Sequence, residues 1–134
     1  MIDPIHIATI GGQTLRFFRT PNDDGRPDFP WHCVNDLHRC LGFDQTARKF
    51  FLRKLRKWGG LQTVATPQGA VVIAPNYMAQ GGINAMIAMG QVSASFRAQY
   101  DAEGAIALKG LIAHLGFPRP VLFVWMKEAT SRHG

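Results

Sequence analysis

The sequence predicts a small α+β domain: an antiparallel sheet of hairpins with helices packed on it, including a helix-turn-helix-like pair. Three observations carry that expectation. Two pairs of β-branched or aromatic runs each flank a turn of glycine or proline, as hairpins do. Longer segments with apolar residues at helical spacing alternate with those hairpins. The chain is 134 residues long with 46% apolar and 18% charged residues, which suits one ordinary globular core.

The first hairpin is expected from Ile5 to Ile10 and Thr14 to Phe18 around Gly11-Gly12-Gln13. From Thr20 to Phe29 the residues Pro21, Asn22, Asp23, Asp24, Gly25 and Pro27 make almost continuous turn chemistry, so a surface loop is expected. Trp31 to Val34 reads as a short strand. Asn35 follows as a helix N-cap with Asp36 in the first turn, where the helix dipole favours an acid. Leu37 and Leu41 share the inner face of that short helix, and Gly42 stands where a left-handed residue would stop it. Asp44 opens a second helix, from Gln45 to about Trp58, and Gly59-Gly60 closes it.

A second hairpin is expected from Leu61 to Thr66 and Ala70 to Ala74 around Pro67-Gln68-Gly69, extending or facing the first. Asn76 to about Met89 is apolar and alanine-rich, a helix softened near its start by Gly81-Gly82. Ser93 to Tyr100 and Glu103 to Leu115 read as further helix ending at Gly116. Two readings stay open for residues 120–128. Val121 to Trp125 has strand composition, yet Pro120 could be the first residue of a helix running to Ala129. Phe117, Val121, Leu122, Phe123, Val124, Trp125 and Met126 are too densely apolar to leave in water. Core packing is the first expectation, and a homodimer interface formed by residues 117–134 is the alternative.

Net charge is +6, and its location says more than its size. Residues 1–44 hold four basic and six acidic side chains, and residues 101–134 hold four and three. Between Gln45 and Tyr100 lie seven basic residues and no acidic one. Six of the seven belong to the second helix. At 100° per residue, Ala47, Phe50, Phe51, Leu55 and Trp58 gather on one side, expected to pack, and Lys49, Arg53, Arg56 and Lys57 on the other. Arg48 and Leu52 lie at the boundary. Lys54 falls among the apolar positions and is expected to reach out to the edge. The cations lack the acidic i±3 and i±4 neighbours of an ordinary surface helix. Gln45, Arg48, Lys49, Arg53, Lys54, Arg56 and Lys57 are therefore the candidate nucleic-acid-binding residues. Duplex DNA is the expected partner, since a helix presented behind a tight joint suits the major groove; a repressor or another acidic protein is the alternative.

His32, Cys33, His38 and Cys40 are the only cluster of metal-ligand types, but neighbours in a strand point apart and no Cys-x-x-Cys accompanies them. Packed reduced thiols and a surface histidine are expected, with no metal and no cofactor. Asp23, Asp24 and Asp28 are explained by turn chemistry, and no nucleophile elbow or phosphate loop is present, so enzymatic activity is not expected. The N-terminal residues resemble neither a secretory signal nor a transit peptide, and a cytoplasmic, membrane-free protein is expected.

From about Ile5 to Ala107 the order of elements resembles the BRO family N-terminal domain of insect-virus BRO proteins and phage antirepressors. The residues that carry the likeness are Phe29-Pro30-Trp31-His32-Cys33-Val34, then Asn35-Asp36-Leu37 leading to Leu41-Gly42. The basic helix, Ala70-Val71-Val72-Ile73 and the helix from Asn76 to Ile87 follow. The resemblance implies one BRO-N-like domain over residues 1–134 and a transcription-related role in a phage or prophage, through DNA binding or through capture of a repressor. Two departures are the longer loop from Thr20 to Phe29 and a short tail past Gly116 where many antirepressors carry a second domain.

Overall fold

Two tight turns organise the strands. In the computed structural model, which describes residues 1–22 and 24–132, β1 (His6–Ile10) and β2 (Gln13–Phe18) join through Gly11-Gly12. Their φ angles of +60° and +77° are those of a two-residue turn whose twist matches the strands. β4 (Gln62–Thr66) and β5 (Gly69–Ala74) join through Pro67-Gln68, where the Thr66 hydroxyl donates to the Gly69 carbonyl at 2.6 Å and accepts from the Gln68 amide. Between the hairpins runs β3 (Trp31–Cys33), so both belong to one antiparallel sheet of order β1-β2-β3-β5-β4. The second hairpin thus extends the first.

Alternation along β2 sends Leu15 and Phe17 to one face and Phe18 to the other. On the first face Ala8, Ile10, Leu15 and Phe17 form the main core with side chains of α1 (Val34–Cys40), α3 (Asn76–Ala88) and α4 (Ala94–Leu115). On the second, Phe18, Trp31, Cys33 and Ile73 are fully buried. The end of the segment joining β2 to β3 shares in this. Asp28 and Pro30 are buried, and Trp31 Nε1 donates to Asp28 at 2.8 Å, so the segment expected as a surface loop is, among the described residues, exposed only at Asp24, Gly25 and Arg26. Asp24 there pairs with Arg132 at 2.7 Å. Asp23 lies outside the described residues.

The helices correct one expected cap and sharpen the other expectations. β3 runs straight into α1, so the N-cap is Cys33 and Asn35 sits inside the first turn without capping. Asp36 is not a solvated first-turn acid but a buried one. It accepts from the backbone amide of Arg16 (3.0 Å) and from the Arg16 guanidinium (2.8 Å), and it also pairs with Arg39. β3 has only three residues, and Asp36 takes the Arg16 N–H beyond its end. α3 stays helical through Gly81-Gly82, and the segment from Ala94 to Leu115 is one 22-residue helix, preceded by Ser93 as N-cap and stopped by left-handed Gly116. Finally, residues 119–131 form α5 (Arg119–Ser131), which closes the open reading in favour of helix. Only one side of α5 packs: Phe117, Val121, Phe123 and Val124 are exposed, so core packing holds for only part of the tail. No helix among the described residues is long and apolar enough to cross a membrane.

Candidate nucleic-acid interface

The site begins with how one helix ends and the next starts. After α1 the Gly42 amide donates to the Arg39 carbonyl and the Phe43 amide to the His38 carbonyl, with Gly42 at φ +78°. This pairing satisfies the terminal carbonyls and turns the chain sharply. The Phe43 ring then lies 5.1 Å from the His38 ring, the apolar contact that accompanies such a stop. Asp44 follows at once. Its carboxylate accepts from the Ala47 amide at 2.8 Å and caps α2 (Gln45–Trp58), which ends at Gly59 with φ +78°. Two helices therefore meet across four residues, and the second is fixed in direction by the first.

α2 is anchored along one edge. Phe51 stacks on Phe43 at 4.7 Å between ring centres and reaches the main core with it. Leu52 and Leu55 pack on Val34, Ala74 and Met78. No residue of α2 is fully buried. The packed edge differs from the expected one by part of a turn: Leu52 and Arg48 belong to it, whereas Phe50 and Trp58 are 48% and 75% exposed. The helix rests on the sheet and α1 along Ala47, Phe51 and Leu55, and Trp58 projects past the end of that support. Lys54 accordingly has no apolar surface to escape from. Its ammonium lies 4.8 Å from the centre of the exposed Phe50 ring, a cation–π contact on the solvent side.

Of the seven candidate residues, Gln45, Lys49, Arg53, Lys54, Arg56 and Lys57 are exposed on one continuous surface. Arg48 is half-buried and turned inward, its Nε donating to the Phe43 carbonyl at 3.2 Å. It steadies the joint and has less to offer a ligand. Among the described residues, no carboxylate pairs with any of the six cations of α2. Arg56 and Lys57 face the negative end of the helix dipole, which favours them there. Among the described residues, the exposed cations otherwise lack compensating charge and neighbour one another at i, i+3 and i+4 along the helix. The arrangement can attract a polyanion, and Phe50 and Trp58 add flat apolar surface beside the charge.

Beneath the joint lie the groups considered for metal binding. Both histidines are buried, which corrects the surface position expected for one of them. Burial pushes His32 down to about 3, helped by the neighbouring His38. Burial, then the Arg48 cation, pushes His38 down to about 4. Burial likewise raises the thiol of Cys33 and takes that of Cys40 up to about 11. The cysteines are free thiols, Cys33 buried and Cys40 half-buried. Among the described residues, no three His, Cys, Asp or Glu side chains come together to hold a metal ion. The chain matches no protein-family model, no curated protein and no solved structure.

Two parts of this arrangement escaped the sequence reading. The exposed aromatics were assigned to the packed side. Lys54 lies four residues from each of Phe50 and Trp58, and that spacing was the signal that this stripe faces water. The Asp36 cluster was hidden because Arg16 comes from a distant strand, although Arg39, three residues on, is visible as a partner.

Proposed function

We propose that the protein is a DNA-binding, transcription-related regulator of phage or prophage type, a binding protein rather than an enzyme, which grips the polyanion with α2. The observation that carries this is a helix with six basic and no acidic residues, anchored on one edge, with five of its cations exposed and unpaired among the described residues. The short α1–α2 joint supports docking of α2 in a groove, as in helix-turn-helix readers. The succession of hairpin, aromatic strand, short helix, basic helix, hairpin and helix supports the BRO-like reading.

Lys49, Arg53, Lys54, Arg56 and Lys57 meet phosphates or base edges, with Gln45 at the entry of the helix and Arg48 holding the joint. Binding to labelled duplex DNA, single strands and RNA, followed from about 50 to 300 mM salt, tests this. Five phosphate contacts give a slope of log affinity against log salt of up to about −4.5, and Arg53→Glu with Arg56→Glu abolishes binding. Absent or salt-insensitive binding would sink the idea. A second reading, a module that docks α2 on an acidic protein such as a repressor, is favoured by the exposed Phe50 and Trp58, since aromatic anchors ringed by charge are typical of protein interfaces. Recovery of one stoichiometric protein partner after nuclease treatment would select it.

A further inference from the structure

The helix α5 carries surface that the fold leaves unused. Ala129 is buried and Leu122 and Met126 face inward, while Pro120, Val121, Val124 and Glu128 share the outer face at helical spacing. Val121 is 47% and Val124 55% exposed. With Phe117, Trp125 and Pro27 they line an open groove of about 480 Å³. Arg132 holds the helix in place by pairing with Asp24 (2.7 Å) and Asp28 (3.8 Å), so the outer face is presented on a fixed element.

The charges on this face are arranged unevenly along the helix. Its outer C-terminal end carries Glu128, which has no cationic partner among the described residues. Its N-terminal end is positive and uncapped: Pro118 supplies no capping side chain, the first turn has no acid, and Arg119 adds a full charge. A parallel pairing of two such helices would set Glu128 against Glu128. An antiparallel one sets each Glu128 at the positive end of the other.

We infer that the outer face of α5 binds a second copy of this chain, as an antiparallel helix pair about a two-fold axis. Val121 of each copy packs on Val124 of the other, Pro120 meets Trp125, and Glu128 supplies the acid that the N-terminus of the opposite α5 lacks. The apolar patch is confined to one short helix and its neighbours Phe117 and Pro27, so the pair belongs at the low end of specific interfaces, about 1,000 Å² in total or less. The dimer is accordingly weak, with dissociation in the micromolar range.

Sedimentation and light scattering of the intact chain, over roughly 1 to 500 μM and without nucleic acid, read this directly. The expected result is a concentration-dependent monomer–dimer equilibrium. Val124→Glu, at an exposed position that tolerates charge in the monomer, raises the dissociation constant at least about tenfold. Glu128→Arg weakens association more at low salt than at high. Circular dichroism confirms that both variants keep the native helix content. A wild-type chain monomeric throughout overturns the inference, and so does a dimer that neither substitution weakens. DNA binding through α2 is measured separately, so failure of one leaves the other standing.

Discussion

Three buried polar side chains decide how the molecule answers to acid. His32 and His38 are neutral in the fold, pushed down to about 3 and about 4, chiefly by burial. In the unfolded chain each titrates near the ordinary histidine value of about 6.5. The unfolded state therefore binds more protons than the native one as pH falls from about 6.5 to about 4 for His38 and to about 3 for His32. Stability is complete above that window and declines within it, by up to about 1.4 kcal/mol per pH unit for each histidine. Burial opposes the charge of Asp36, but the hydrogen bonds and charge of Arg16 outweigh it and hold this carboxyl below its usual range. Its contribution is present above the ordinary carboxylate value and is lost as pH falls through the lowered one, so it adds to the acid lability only at the acid end of the histidine window and below. Urea unfolding at pH 7.5, 6 and 5 is expected to give falling midpoints, with a shallower decline in His32→Gln. Equal midpoints at pH 7.5 and 5 would contradict this account.

At the scale of elements, the joint between α1 and α2 concentrates the local signals. Gly42 has φ +78°, and a Cβ there would meet no atom within 4 Å, so Gly42→Ala costs only backbone strain, about 1–2 kcal/mol. Asp44→Ala removes the acceptor for the Ala47 amide and costs about 1 kcal/mol. Both losses are expected in the denaturant midpoint, with amide exchange in α2 rising more than in α4. A uniform rise would mean that α2 is not a separately stabilised unit. Such stops and caps were legible in the sequence because they depend on neighbours a few residues away, and so were the two glycine- and proline-turned hairpins. What was illegible depends on contacts at long range. Which stripe of α2 packs is set by where the sheet and α1 lie, and periodicity alone placed it wrongly by part of a turn, with Phe50 and Trp58 inside. Val121 to Trp125 reads equally as strand or helix, because its β-branched residues fit either, and the choice falls to the Pro118–Pro120 start and the packing of Ala129 and Leu122. The six cations of α2 were legible from charge alone, and the inward turn of Arg48 was not.

For the whole molecule, the unequal distribution of charge matters beyond any partner. Lys49 and Arg53, Arg53 and Lys57, Arg53 and Arg56, and Lys54 and Lys57 are like-charged neighbours on α2, each pair costing about 0.2–0.5 kcal/mol at low ionic strength. Dissolved electrolyte relieves that repulsion, and multivalent anions such as sulfate or phosphate relieve it more per mole than chloride. The free protein is therefore expected to melt at a higher temperature as salt rises from about 20 to 200 mM, the interval over which the proposed hold on a polyanion would slacken. A melting temperature that falls over that interval would show that attractive ion pairs elsewhere, such as Arg132 with Asp24, dominate instead. If α2 binds a polyanion as proposed, its five exposed cations would make folding and binding answer to the same counterions with opposite sign. A bound polyanion would do for α2 what salt does, so the helix would be most in need of the proposed partner in the dilute conditions where it would hold one most firmly.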